Sequence, residues 1–168
     1  MKTLLLCAIS GFSATALAGP SISNVVLDQD TDSQVVTVTY DLTGDPAIVT
    51  LDILSDGLSL AEAGALRHVV GDVSRALAAG SSKRIVWNPT VDWPGHLVQD
   101  GSLKAVVSAW PLSNPPDYMA VRLDVTNGVR YYASAATLPA EVGDDRWRDE
   151  FLLMRRIPAA GRIWTMGT

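Results

Sequence analysis

The chain has 168 residues, with 13 Lys and Arg against 18 Asp and Glu and a formal net charge of −5. This acidic balance argues against a nucleic-acid partner or an anionic membrane surface, both of which are bound through clustered positive charge. The one cysteine, Cys7, excludes a disulfide framework, and the length suits one well-cored domain and little more.

Residues 1–18 read as a secretory signal. Lys2 supplies a positive start, residues 4–18 an apolar run of small side chains, and Ala16-Leu17-Ala18 the cleavage pattern before Gly19-Pro20. The run is too short and too rich in Ser, Ala and Gly to favour a spanning helix. Cleavage after Ala18 leaves residues 19–168, without cysteine and with 12 basic and 18 acidic side chains, hence a net charge of −6. An exported location, periplasmic or extracellular, is therefore expected, with no transmembrane anchor. Residues 19–82 carry 9 acidic and 2 basic side chains, whereas residues 83–168 carry 9 and 10, and most of the arginines lie near the end.

From there the dominant pattern has period two. Residues 22–27 suit a first strand. Residues 35–42 place Val36, Val38, Tyr40 and Leu42 on one face and Thr37, Thr39 and Asp41 on the other. After the turn cluster Thr43-Gly44-Asp45-Pro46, residues 47–54 repeat the alternation, with Val49, Leu51 and Ile53 inward and Thr50 and Asp52 outward. Residues 58–79 are ambiguous. LSLAEAGAL suits a short helix, Gly64, Val69-Val70 and Gly71-Asp72 interrupt it, and residues 73–79 suit a helical turn before Gly80.

Residues 83–95, KRIVWNPTVDWPG, form the corner around which two sheets are expected to close. A short strand over 84–87 runs into a loop stiffened by Pro89 and Pro94. Trp87 is expected between the sheets and Trp93 over their end, with Asp92 accepting backbone N–H bonds inside the turn. Residues 103–109 form a further strand. Residues 118–125 place Met119, Val121, Leu123 and Val125 inward, and Asn127-Gly128 reads as a two-residue hairpin turn to a return strand over 129–132.

This pattern predicts an all-β fold, an antiparallel immunoglobulin/fibronectin III-like β-sandwich over residues 19–135, with a small closed barrel as the alternative. Residues 136–150 read as a linker. Residues 151–168 read as an incomplete C-terminal hairpin, with strands over 151–157 and 162–166 and apolar residues on both faces, among them Phe151, Leu152, Ile163 and Trp164. A two-stranded hairpin is marginal alone, and few contacts with the sandwich are expected for it.

No residue earns a catalytic, cofactor-binding or metal-ligating assignment. Asp28-Gln-Asp-Thr-Asp32 has the alternating carboxylates of a calcium loop but lacks its glycine and its closing Glu, and reads as a solvated turn. His68 and His96 have no cysteine or second histidine at ligand spacing. No G-x-S-x-G elbow surrounds any serine. Trp110, Tyr118, Tyr131 and Tyr132 suit either a sugar-binding face or ordinary packing.

The run LMRRIPAAGRIWTMG over residues 153–167 resembles the opening of the catalytic domain of the formylglycine-generating (sulfatase-modifying factor) family, which begins with a strand, then Ile-Pro-Ala-Gly, an aromatic and Met-Gly. KRIVWNPTVDWPG, NPPDYMAVRLDV, Tyr131-Tyr132-Ala-Ser and Leu138-Pro139 resemble the β-sandwich region that precedes such domains in exported bacterial members. The resemblance implies the front of a longer protein, a non-catalytic accessory sandwich whose partner is its own missing C-terminal domain. Copper, and the oxidation of a substrate cysteine to formylglycine, would belong to that domain, whose cysteines have no counterpart here. The competing expectation is an independent exported module that binds a carbohydrate or a protein.

Overall fold

β-branched and aliphatic residues at every second position form strands wherever one face can be buried. β1 (Ser21–Gln29), β2 (Val36–Thr43) and β3 (Ala47–Ser55) follow one another through tight turns. In β2 the alternation is complete, with Val36, Val38, Tyr40 and Leu42 all at 1 % exposure or less. The computed structural model describes residues 19–96, 102–126 and 128–157. The signal segment, Asn127 and the strand expected over 162–166 lie outside the described residues.

Residues 58–79 form no helix. They make β4 (Leu58–Ser59), β5 (Val69–Gly71) and β6 (Ala76–Leu77), joined by turns. The local cause is β3, whose Ile53 carbonyl and Asp52 carboxylate accept the N–H groups of Leu60 and Ala61. That contact turns Leu60, Ala61, Ala65 and Leu66 into the core. β7 (Gly80–Trp87) follows, then the single turn α1 (Pro89–Asp92), β8 (Leu103–Pro111), β9 (Tyr118–Arg122) and β10 (Val129–Tyr132). A second single turn, α2 (Arg146–Asp149), precedes β11 (Phe151–Arg155).

The fold is all-β, and every strand pair is antiparallel. One sheet has the order β1-β2-β7-β5. A second is centred on β3, which pairs with β8 along its length and with β4 and β6 on its other side. The pairings β2–β7 and β3–β8 are those an immunoglobulin-type sandwich makes between its B and E and its C and F strands. Between these sheets, the β2 residues with Ile85 and Trp87 meet Val49, Leu51 and Ile53. Gly71 lies where β5 crosses β7. At φ +104° a side-chain carbon there would sit 2.3 Å from the Arg84 carbonyl oxygen, so only glycine fits.

β9 and β10, expected in the sandwich, instead form a third sheet with β11, in the order β10-β9-β11. This sheet changes all four inward assignments, since Met119 and Val121 alternate with the buried Ala120 and are only half-buried. Ala120 is its buried residue in β9, while Leu123 and Val125 lie beyond the strand end at 58 % and 46 % exposure. The register pairs Val121 with Val129, so six positions, 123–128, separate β9 from β10 where a two-residue turn is expected. The third sheet also packs over β3. Thr50, expected outward, is therefore buried, and its hydroxyl accepts the Trp110 indole N–H at 2.8 Å. Ser74 joins the layers. Its N–H donates to the Val49 carbonyl and its own carbonyl accepts from the Tyr131 N–H, both at 2.7 Å, with φ +58° in the left-handed region.

Residues 151–157, the described part of the C-terminal run, are docked on β9, where few contacts are expected. β11 pairs with β9 from Phe151↔Arg122 to Arg155↔Tyr118, and Arg156 bonds Asp117 through both backbone and guanidinium. Residues 136–150 contribute Leu138 and Ala140 to the interior, and Trp147 packs against Phe151 at 5.5 Å.

Asp41 fastens three strands, accepting from the Asn24 amide at 2.7 Å and the Ser82 N–H at 2.8 Å. These bonds, Asn24 foremost, hold its carboxyl below the usual range. A carboxyl depressed in the folded state stabilises above its unfolded pKa, and the contribution disappears as pH falls through the folded value. The stability difference between the native chain and Asp41→Asn should therefore be present at neutral pH and shrink below about pH 4. Urea midpoints measured down the pH scale check this, and an undiminished gap in acid would contradict it.

Candidate functional site

The corner is built from a capped turn. Asn88 is extended and its side chain accepts the Thr90 N–H at 3.0 Å, while Pro89 takes the first helical position, where its missing N–H is harmless. One turn later Asp92 points back beneath Trp87. Its side chain is 1 % exposed. Oδ2 accepts the Trp87 indole N–H at 2.9 Å, the Arg67 N–H at 2.9 Å and the His68 N–H at 2.8 Å, and Oδ1 faces His68 Nδ1. The backbone donors expected inside the turn thus come from a loop 24 and 25 residues earlier. Trp87 is 1 % exposed as expected, and Trp93 packs partly buried against the core edge with His96 stacked on its ring at 4.2 Å.

With Nδ1 turned to Asp92, the His68 imidazole has a fixed orientation and its side chain remains 58 % exposed. That is the orienting half of an acid–base pair. Among the described residues no serine, threonine or cysteine hydroxyl or thiol bonds His68, so the pair serves to pin the 65–68 loop. The expected calcium-like run behaves as a turn. Asp30 Oδ1 accepts from the N–H groups of Asp32 and Ser33 and from the Ser33 hydroxyl, and these bonds, Ser33 N–H foremost, lower its carboxyl. No cluster of three or more metal-ligating side chains occurs among the described residues.

The pinned loop also carries Arg67 into a cleft of about 170 Å³ between the second and third sheets. Thr50, Ser74, Arg130, Tyr131 and Tyr132 line it together with aliphatic residues of the loop and β5. Burial raises the Tyr132 phenol, with the Arg130 charge acting in the opposite direction. Arg67 donates to the Gly64 carbonyl and pairs with Glu141. Of the four aromatics singled out in the sequence, Tyr131 and Tyr132 line the cleft. Trp110 sits behind Thr50, and Tyr118 lies under Arg155 at 5.5 Å. The serine and the two arginines carry no sequence signal for this, because separate elements bring them together.

No protein-family model, curated protein or solved structure matches this chain. Among the described residues no helix is long and apolar enough to cross a membrane.

The bonding at the corner ranks its residues. Asp92→Ala should cost about 3 kcal/mol, because it strands a buried indole N–H and two backbone donors. Trp87→Ala should cost about 3–5 kcal/mol. His68→Ala should cost no more than about 1 kcal/mol, its ring being largely in water. Denaturant midpoints of the three variants test the order, and a His68→Ala loss equal to that of Asp92→Ala would refute it.

Proposed function

We propose that this chain is the non-catalytic β-sandwich portion of an exported protein of the formylglycine-generating (sulfatase-modifying factor) family. The observation that carries the reading is β11. A strand over Phe151–Arg155 leads directly into Ile157 and the Ile-Pro-Ala-Ala-Gly run, the order in which the family's catalytic domain opens. Leu152, Met154 and Ile157 are exposed at 51 %, 39 % and 63 % beside this run, which suits a surface that a following domain covers. Copper and the oxidation of a substrate cysteine belong, on this reading, to the domain that follows. The role of this chain is to carry and orient it. A second reading, an independent exported module for a carbohydrate or protein ligand, draws its support from the cleft.

The reading frame beyond the Thr168 codon should continue into a cysteine-containing domain, and a stop codon there would overturn the proposal in favour of the second reading. Export belongs to both. Expressed in a Gram-negative host, the protein should lose residues 1–18 by intact mass, and full-length protein in the cytoplasmic fraction would contradict it.

A further inference from the structure

We propose that the cleft between the second and third sheets binds a small hydroxylated ring bearing one carboxylate, with Arg130 as the anion contact and the hydroxyls of Ser74 and of Tyr132, which shares the Arg130 face of β10, as its polar partners. This inference holds under either reading of the whole chain. Size comes first. A volume of about 170 Å³ corresponds to about five or six waters, enough for a single ring and too little for a drug-sized molecule.

The lining sets the chemistry. Leu66, Val69 and Val73 give apolar walls, and tyrosine rings suit the C–H faces of a ring that also presents hydroxyls. Polar groups of the lining residues have no internal partner. Among the described residues, the hydroxyls of Ser74, Tyr131 and Tyr132 make no hydrogen bond, and none of these atoms is sealed from solvent. Each can exchange water for a ligand hydroxyl, as donor or acceptor.

Charge narrows the ligand further. Arg67 is matched by Glu141, whereas the one bond of Arg130 is from Nη1 to the carbonyl of its neighbour Val129 at 2.9 Å. Arg130 is exposed at the edge of the cleft and has no carboxylate partner among the described residues, so its guanidinium is free to exchange water for an anionic ligand group. Its charge reaches the Tyr132 phenol, so both act in the same corner of the cleft. Ser74 supplies an independent pointer. A non-glycine residue held at φ +58° is strained, and here the strained residue lines the cleft with a hydroxyl that no internal partner takes up.

The test uses the purified chain and three probes, D-glucuronate, D-glucose and benzoate, followed by amide chemical shifts. Glucuronate should bind with a Kd below about 10 mM and move the amides of Ser74, Arg130 and Tyr131. Glucose lacks the carboxylate and benzoate the hydroxyls, and both should bind about tenfold more weakly or worse. Arg130→Gln should weaken glucuronate by about tenfold. Ser74→Gly should raise the thermal midpoint, since glycine accepts positive φ, and still weaken glucuronate. Glucose or benzoate binding as well as glucuronate, an unchanged affinity in Arg130→Gln, or no shifts at these amides would overturn the proposal.

Discussion

Removing a carboxylate from water costs several kcal/mol unless charge-assisted hydrogen bonds replace its hydration. Asp92 meets that condition with donors from two places, the Trp87 indole and the 67–68 backbone, and this one group sets the geometry of the corner. Trp87 is the largest fully buried side chain and ends β7, so the same carboxylate fixes that side chain and the loop that closes the end of the core. The donors are mutually dependent. An indole N–H left at 1 % exposure without a partner, or a loop without its two backbone bonds, would each open a path for water.

The second consequence concerns β3, a strand with both faces in use. One face meets β2 and β7. The other is covered by the third sheet, which buries Ile48 and Thr50 and leaves the cleft where Tyr131, Tyr132 and Arg130 pass over it. Ser74 is the tether between the layers, and its left-handed conformation lets one residue donate to β3 while accepting from β10. The cleft is thus defined by a strained clamp on one wall and by the Asp92-pinned loop on the other. Its lining residues come partly from strands, Thr50 in β3 and Arg130, Tyr131 and Tyr132 in β10, and partly from loops pinned by the Asp92 and Ser74 bonds.

The sandwich was legible in the sequence wherever one face met the core and the other met water. β2 is the clean case, since Val36, Val38, Tyr40 and Leu42 alternate and are buried as read. Period two fails for β3 because alternation reports only one buried face, and Thr50 offers no sign that a hydroxyl will be matched by Trp110. The 58–66 run misleads through composition. Helix-favouring residues yield to Asp52 and Ile53, which capture its first N–H groups, and propensity is the weaker term. Asp92 is an acceptor in a turn as expected, but not for donors of that turn. Its partners were not legible, because they are fixed by which loop the fold lays across it. The cleft was invisible for the same reason. Ser74 sits far in the chain from Arg130 and Tyr131, and only Tyr131 and Tyr132 belong to an aromatic pattern.

β11 bears on how the two parts of the proposed parent protein relate. A strand that only opened a separate catalytic domain would hang from a tether, with domain motion the default. Here it is paired residue by residue with β9, held at its start by the bond from Leu123 N–H to the Glu150 carbonyl and at its end by Arg156 on Asp117. α2 braces it through Trp147 on Phe151. On the proposed reading, the accessory portion and the domain it carries therefore share a sheet. Orientation is then transmitted through backbone hydrogen bonds, and a change at the β9–β10 edge would shift the following domain without touching its own residues.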